Sequence, residues 1–303
     1  VGLVHPDSEG DSLSLPDEYR QTDEYARGKI KHVRVAIELG MAGDTEGVRY
    51  LESMAQSQIQ AGADFLDVNI DEISSSVEKL VDAMNWTAGM MSDFSPVPLS
   101  IDSSVQAVLE AGLKCCDHSK GRPLINSVSM ERPEVLDLAV EYNTDIVVSA
   151  FGGSAGQLGV DERMSNFGEM MKRLDSAGIE PQRVYLDPLV FSVGTDPEAG
   201  NRFLEAVRRV RSEYGDEVHV TGGLSNISFG MPARRLLNEV FVLMAMEAGC
   251  DSAIVDPLQV NVERIRQYDR DSEVFRLTMD ALTGKDQFCM EYISAYREGR
   301  LQV

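Results

Sequence analysis

The sequence predicts a closed (β/α)8 barrel of the TIM type. Three observations carry that expectation. Short β-branched, apolar runs alternate with amphipathic stretches from about residue 33 to residue 256. The ends of eight such runs fall near residues 39, 69, 102, 127, 149, 187, 222 and 256, about one strand–helix unit apart. The runs are continuously apolar, as strands of a parallel sheet covered on both faces are.

Residues 1–30 are polar and rich in Asp, Glu, Ser and Gly, and read as an N-terminal arm. One barrel domain then spans 31–303. Strands are expected at Val33–Leu39, Phe65–Asn69, Val97–Asp102, Pro123–Ser127, Asp145–Ser149, Val184–Asp187, Val218–Gly222 and Ser252–Asp256. Ile73, Val77, Leu80, Val81 and Met84 repeat at helical spacing, and so do Leu236, Val240, Met244 and Ala248. Two helices pass into strands through Ala61-Gly62-Ala63-Asp64 and Ala248-Gly249-Cys250-Asp251, with glycine as the C-terminal cap. Gln259 to Val303 reads as a C-terminal helical extension. An open doubly wound sheet is the structural alternative. No G-x-G-x-x-G turn follows the first run, which argues against its dinucleotide-binding form.

Bulk properties narrow the function. The 303 residues, 43% hydrophobic, suffice for one large core. Lys+Arg of 28 against Asp+Glu of 50 gives a net charge of −22. Such a surface repels phosphate backbones and anionic membranes, so neither nucleic acid nor a membrane is an expected partner. No apolar run of eighteen residues and no signal-peptide pattern is present. Cys115, Cys116, Cys250 and Cys289 show no C-x-x-C spacing, which fits a reduced, cytoplasmic chain. His5, His32, His118 and His219 are scattered, so no metal site is expected.

Barrel enzymes collect their chemistry at the C-terminal ends of strands. Here those ends carry Asn69, Asp102, Asn126, Asp187, Ser225-Asn226 and Asp256, with almost no Lys, Arg or His. A carboxylate accepts two parallel N–H bonds from an aminopyrimidine edge, and a carboxamide supplies both donor and acceptor. The rim therefore suits a flat, nitrogen-rich ring such as a pterin. The plainer reading is that Asp and Asn at these junctions cap the helices that follow.

Several phrases in order resemble the pterin-binding family of methyltetrahydrofolate:corrinoid methyltransferases, the folate module of cobalamin-dependent methionine synthase, and dihydropteroate synthase. They are Ala63-Asp64-Phe65-Leu66-Asp67-Val68-Asn69, Leu99-Ser100-Ile101-Asp102-Ser103, Leu124-Ile125-Asn126-Ser127, Tyr185-Leu186-Asp187-Pro188-Leu189 and Gly223-Leu224-Ser225-Asn226-Ile227-Ser228. The resemblance spans roughly Gly43 to Pro257.

It implies a methyltransferase acting between N5 of tetrahydrofolate and the cobalt of a corrinoid. Tetrahydrofolate or 5-methyltetrahydrofolate is then the substrate. The corrinoid (cobalamin) arrives on a separate corrinoid-binding protein, because this chain is too short for a second, cobalamin-binding domain. A homodimer is the implied assembly. Asp102, Asn126 and Asp187 would hold the pterin edge, Gly223 and Ser225 would shape the turn beneath it, and Asn226 would sit beside N5 as the catalytic group. Asn69, Arg234 and Asp256 are further candidates.

There are departures. Transferases of the family open their first strand with Gly-Glu-Arg-x-Asn, whereas the comparable stretch here is Ile37-Glu38-Leu39-Gly40-Met41. Phe229 stands where the corrinoid iron–sulfur protein enzymes have Gln. The alternatives are a dihydropteroate synthase-like condensing enzyme and a non-catalytic folate- or corrinoid-protein-binding module. The first needs basic residues at Ser225-Asn226 and Asp256-Pro257, and the retained Asn226 argues against the second.

Overall fold

The computed structural model describes residues 2–4, 12–26, 31–152 and 158–301. Parts of the expected arm (1, 5–11, 27–30), His5 and the last two residues of the tail lie outside the described residues. The chain divides into two compact units, Val1–Asn126 with Tyr142–Thr144, and Ser127–Glu141 with Asp145–Val303.

The first unit opens with the antiparallel pair β1 (Gly2–Val4) and β2 (Ser12–Ser14) and two single-turn helices, α1 (Asp17–Arg20) and α2 (Asp23–Ala26). Leu13, Leu15 and Tyr19 are buried, and the Tyr19 hydroxyl accepts from the Lys31 N–H at 2.9 Å. The expected first strand, Val33–Leu39, is instead part of helix α3 (His32–Met41), followed by α4 (Thr45–Gln60).

The physical reason is packing on a helical period. Val35, Ala36, Ile37 and Gly40 are buried together, while Arg34 and Glu38 pair at 2.8 Å one turn apart on the outer side. A Cβ on Gly47 of α4 would lie 2.4 Å from the Ala36 carbonyl oxygen, so the two helices meet backbone to backbone. This contact outweighs the strand preference of Val33, Val35 and Ile37.

Next come β3 (Leu66–Asn69), α5 (Val77–Phe94), β4 (Leu99–Asp102), α6 (Gln106–Lys114) and β5 (Leu124–Val128), the last belonging to this unit as far as Asn126. The three strands are parallel, and Ile101 and Ile125 at their centre are fully buried.

The second unit continues with α7 (Val135–Glu141), β6 (Asp145–Ser149), α8 (Val160–Ser176), β7 (Val184–Asp187), α9 (Ala199–Tyr214) and β8 (His219–Val220). A 3-10 turn, Leu224–Ser228, leads into α10 (Arg234–Ala248), whose end is capped by Gly249 at φ 109°. Strands β6, β7 and β8 are parallel, with Ser149 opposite Asp187 and Leu186 opposite Val220.

The expected eighth strand, Ser252–Asp256, forms no regular ladder. It runs beside β8 through two bonds, Ser252 N–H to the Val220 carbonyl at 3.1 Å and Ile254 N–H to the Gly222 carbonyl at 3.0 Å. β8 is itself only two residues long before Gly222-Gly223, which leaves little edge for a partner. The tail is helical as expected: α11 (Val262–Arg266), α12 (Glu273–Leu282) and α13 (Met290–Arg297).

Candidate active site

In the first unit the ladder places three of the expected residues on one rung. Asn69 is opposite Asp102, and Asp102 is opposite Asn126. Asn69 Nδ2 donates to Asp102 Oδ2 at 2.9 Å while its Oδ1 accepts from the Asp71 N–H at 3.0 Å. Asn69 is thus engaged with protein on both ends and orients the Asp102 carboxylate.

One rung below sits Asp67, on the same strand face as Asn69 because strand side chains alternate. Asp67 accepts from Ser100 Oγ at 2.6 Å and is also bonded to the Asn126 side chain. Its side chain opens to a concavity but is ringed by protein, and burial pushes its carboxyl above the ordinary range against those two hydrogen bonds. Asp67 was not singled out in the sequence. The signal was its place two residues before Asn69.

The helix-capping reading of these residues fails at the caps. The N-cap of α6 is Val105, and Asn126 lies nine residues before the start of α7. Local loop work falls instead to Asp71, which accepts from Ser103 Oγ at 2.6 Å and from the Ser104 N–H at 2.8 Å.

In the second unit Asp187 ends β7. Its Oδ1 accepts from the Leu189 N–H at 2.8 Å, which ties it to a residue held at φ 71°. Burial lifts its carboxyl to about 6, with the Leu189 N–H and the Arg163 guanidinium pulling the other way.

Arg163, in the first turn of α8, is 0% exposed. Its Nε and Nη1 donate to the Leu158 and Leu189 carbonyls, each at 3.1 Å, and its guanidinium lies 5.8 Å from the centre of the Phe191 ring. Its Nη2 is buried without an acceptor. No sequence signal marks Arg163, since an arginine in a first helical turn ordinarily reads as solvated. A Cβ at Gly222 would lie 3.2 Å from Asp187 Oδ1, so that glycine leaves the carboxylate room.

The Gly223–Ser228 turn is anchored from three sides. Leu224 and Ile227 are buried, and the Val193 N–H donates to the Ile227 carbonyl at 3.0 Å. Arg234 donates from Nη2 to the Ser225 carbonyl and from Nε to Ser228 Oγ, both at 3.0 Å. Ser228 Oγ donates in turn to Asn238 Oδ1 at 2.7 Å.

Asn226 rides on this turn exposed, with no protein partner for its carboxamide among the described residues. A Cβ at Gly223 would lie 2.9 Å from Asn226 Nδ2, so glycine makes the seat for the amide. Phe229, 70% exposed, follows it. Asp256 differs from the others. Its two oxygens accept from the Leu258 N–H at 3.0 Å and from Gln259 Nε2 at 2.7 Å, a local turn.

Residues 43–256 match the sequence pattern of the pterin binding enzymes. The chain belongs to that family. This pterin-binding enzyme is 30% identical over 284 residues to the methylcorrinoid:tetrahydrofolate methyltransferase of Eubacterium limosum, covering 92% of this chain and 96% of that protein. It is 31% identical over 217 residues to methionine synthase of Mycobacterium leprae, matching 67% of this chain but only 17% of that much longer protein.

Among solved structures it is similar to Yersinia pestis dihydropteroate synthase, with a TM-score of 0.57, 19% identity, and coverage of 72% of this chain and 86% of that one. Xanthomonas albilineans dihydropteroate synthase with 7,8-dihydropteroate gives a TM-score of 0.57 at 22% identity, over 73% and 86%. That likeness shows the shared fold, the expected TIM barrel. Among the described residues no three His, Cys, Asp or Glu side chains are grouped to hold a metal ion, and no helix is long and apolar enough to cross a membrane.

Proposed function

We propose that this pterin-binding enzyme is a methyltransferase that moves a methyl group between the cobalt of a corrinoid on a separate protein and N5 of tetrahydrofolate. The E. limosum relative, named for a methylcorrinoid and tetrahydrofolate and matched over nearly its full length, favours methylcorrinoid as donor. The observation that carries the reading is the exposed, unpartnered Asn226 carboxamide on a turn whose backbone is fixed by Arg234, Ser228 and Asn238.

In this reading Asp102, Asn126 and Asp187 take the N–H groups of the pterin edge, with Asn69 bonded to the Asp102 carboxylate and Arg163 bonded to the carbonyl of Leu189, whose N–H binds Asp187. The corrinoid supplies the methyl group when its protein docks. Attack by N5 forms the N–CH3 bond as the Co–C bond breaks, and N5 then carries both a methyl and a proton. The Asn226 oxygen accepts a hydrogen bond from that N–H as positive charge grows, and the proton leaves to solvent on the exposed side. In the reverse direction the same amide donates to the departing nitrogen. A neutral, two-sided group suits a reversible transfer better than a fixed charge.

Asn226→Ala is expected to lower turnover by about 100-fold, the scale of one lost polar contact in a transition state. The dissociation constant for tetrahydrofolate should stay within a few-fold. Loss of methylcobalamin absorbance on adding tetrahydrofolate reads the turnover directly. Unchanged turnover in this variant would remove Asn226 from the mechanism.

A further inference from the structure

The second unit contains a cavity of about 370 Å³ lined by Arg234, Arg235, Arg264, Glu239, Tyr268 and Leu301. Three arginines at one hollow are conspicuous in a chain of net charge −22. Glu239 is buried at their base, paired with Arg264 and with Arg235 (3.2 Å), and accepts from the Tyr268 hydroxyl. One carboxylate therefore pairs with two of the three guanidiniums, and the third, Arg234, has no carboxylate partner among the described residues. Arg264 Nε is also buried without an acceptor. Arg234 belongs both to this cavity and to the turn that carries Asn226, through its bonds to Ser225 and Ser228.

We infer that this cavity receives the carboxylates of the glutamate tail of the folate, so that the enzyme prefers polyglutamylated tetrahydrofolate. The inference rests on the pterin reading above. A tetrahydrofolate presents its ring at one end and, beyond the p-aminobenzoyl spacer, one carboxylate for each added γ-linked glutamate, with one more at the terminus. Guanidiniums match carboxylates in paired N–H···O bonds. Glu239 fixes Arg235 and Arg264 at their inner ends, which lowers the ordering entropy lost when a second anion binds.

The test measures dissociation constants for tetrahydrofolate with one glutamate, tetrahydrofolate with five, and 6-methyltetrahydropterin, which has no tail. Wild type should bind the pentaglutamate about tenfold more tightly than the monoglutamate, the sum of a few partly exposed ion pairs. That gain should shrink as salt is raised. Arg235→Glu, at a largely exposed position, and the double variant Arg235→Gln/Arg264→Gln should both lose it. The readout is the ratio of constants within each variant, so a general change in stability cancels.

Equal binding of all three compounds by wild type would overturn the tail site and leave the pterin reading standing. A length-dependent gain that survives both variants would also overturn it. Binding of none of the three would remove the pterin reading itself, and the tail site with it.

Discussion

Asp187→Asn separates the demands of folding from those of binding. Burial lifts the Asp187 carboxyl from an ordinary 3.8 to about 6. A rise of two pH units corresponds to about 3 kcal/mol, an upper figure here because the side chain still reaches water. The folded state holds the proton more tightly than the unfolded chain does. The associated stability is therefore fully present below the ordinary carboxylate value and is lost as pH rises through about 6. At pH 8 wild type carries the whole penalty of an ionised, half-buried carboxylate.

Asparagine keeps an oxygen for the Leu189 N–H and carries no charge, but it deprives Arg163 of its nearby anion. The net expectation is a variant about 1–3 kcal/mol more stable than wild type at pH 8, with the difference about halved near pH 5 and gone only below the ordinary carboxylate value. In a chain of this size that is a rise of several degrees in Tm at pH 8. Tetrahydrofolate affinity should fall at least tenfold at pH 8, because the carboxylate that accepts two donors becomes an amide. Urea unfolding at both pH values and a binding titration at pH 8 decide the matter. A variant equally destabilised at both pH values, or one that keeps full affinity, would refute the reasoning.

Arg163→Met should destabilise the fold by about 3 kcal/mol, since one buried and one part-buried carbonyl lose charged donors, and should move the acid limb of ligand binding to higher pH. The charged group that acts on Asp187 in this limb is Arg163, itself repelled by Arg202, while the buried Cys250 thiol nearby, pushed up to about 12, is neutral throughout it. An unmoved pH profile in a folded variant would deny Arg163 its positioning role. Asn69→Ala should leave folding nearly intact, checked by urea midpoint, and weaken tetrahydrofolate binding several-fold through a loosened Asp102; an affinity equal to wild type would show that Asn69 serves only its loop. Asp44→Ala should cost about 1 kcal/mol by removing the N-cap that accepts from the Glu46 N–H, with no change in ligand affinity; a loss of affinity would contradict the placement of the site at the strand ends.

What could be read in the sequence divides along a physical line. Buried parallel strands write themselves as short apolar runs, so Asp145–Ser149 and Val184–Asp187 were found to the residue. Val33–Leu39 misled because three β-branched residues mimic a strand, and only the close approach of Gly47 to Ala36 shows that a second helix covers them. Ser252–Asp256 has the composition of a strand but meets a partner two residues long.

At the site, side-chain type and strand position were enough to select Asn69, Asp102, Asn126, Asp187 and Asn226. Type and position do not tell a side chain free to meet a ligand from one already engaged with protein. That distinction lies in hydrogen-bond partners, which sequence does not record. Asn69 and Asn226 are the same residue at equivalent junctions, yet one is tied at both ends of its amide and the other is exposed with no protein partner. Arg163 is the extreme case. Its meaning comes from complete burial beside Asp187, and a helix pattern that admits arginine on any outward face gives no hint of it. The proposed function asks for side chains of fixed polarity around a ligand that supplies the reactive atoms, and a free carboxamide on a rigid turn, a carboxylate bonded to an amide and a carboxylate bonded to a backbone N–H are groups of that kind.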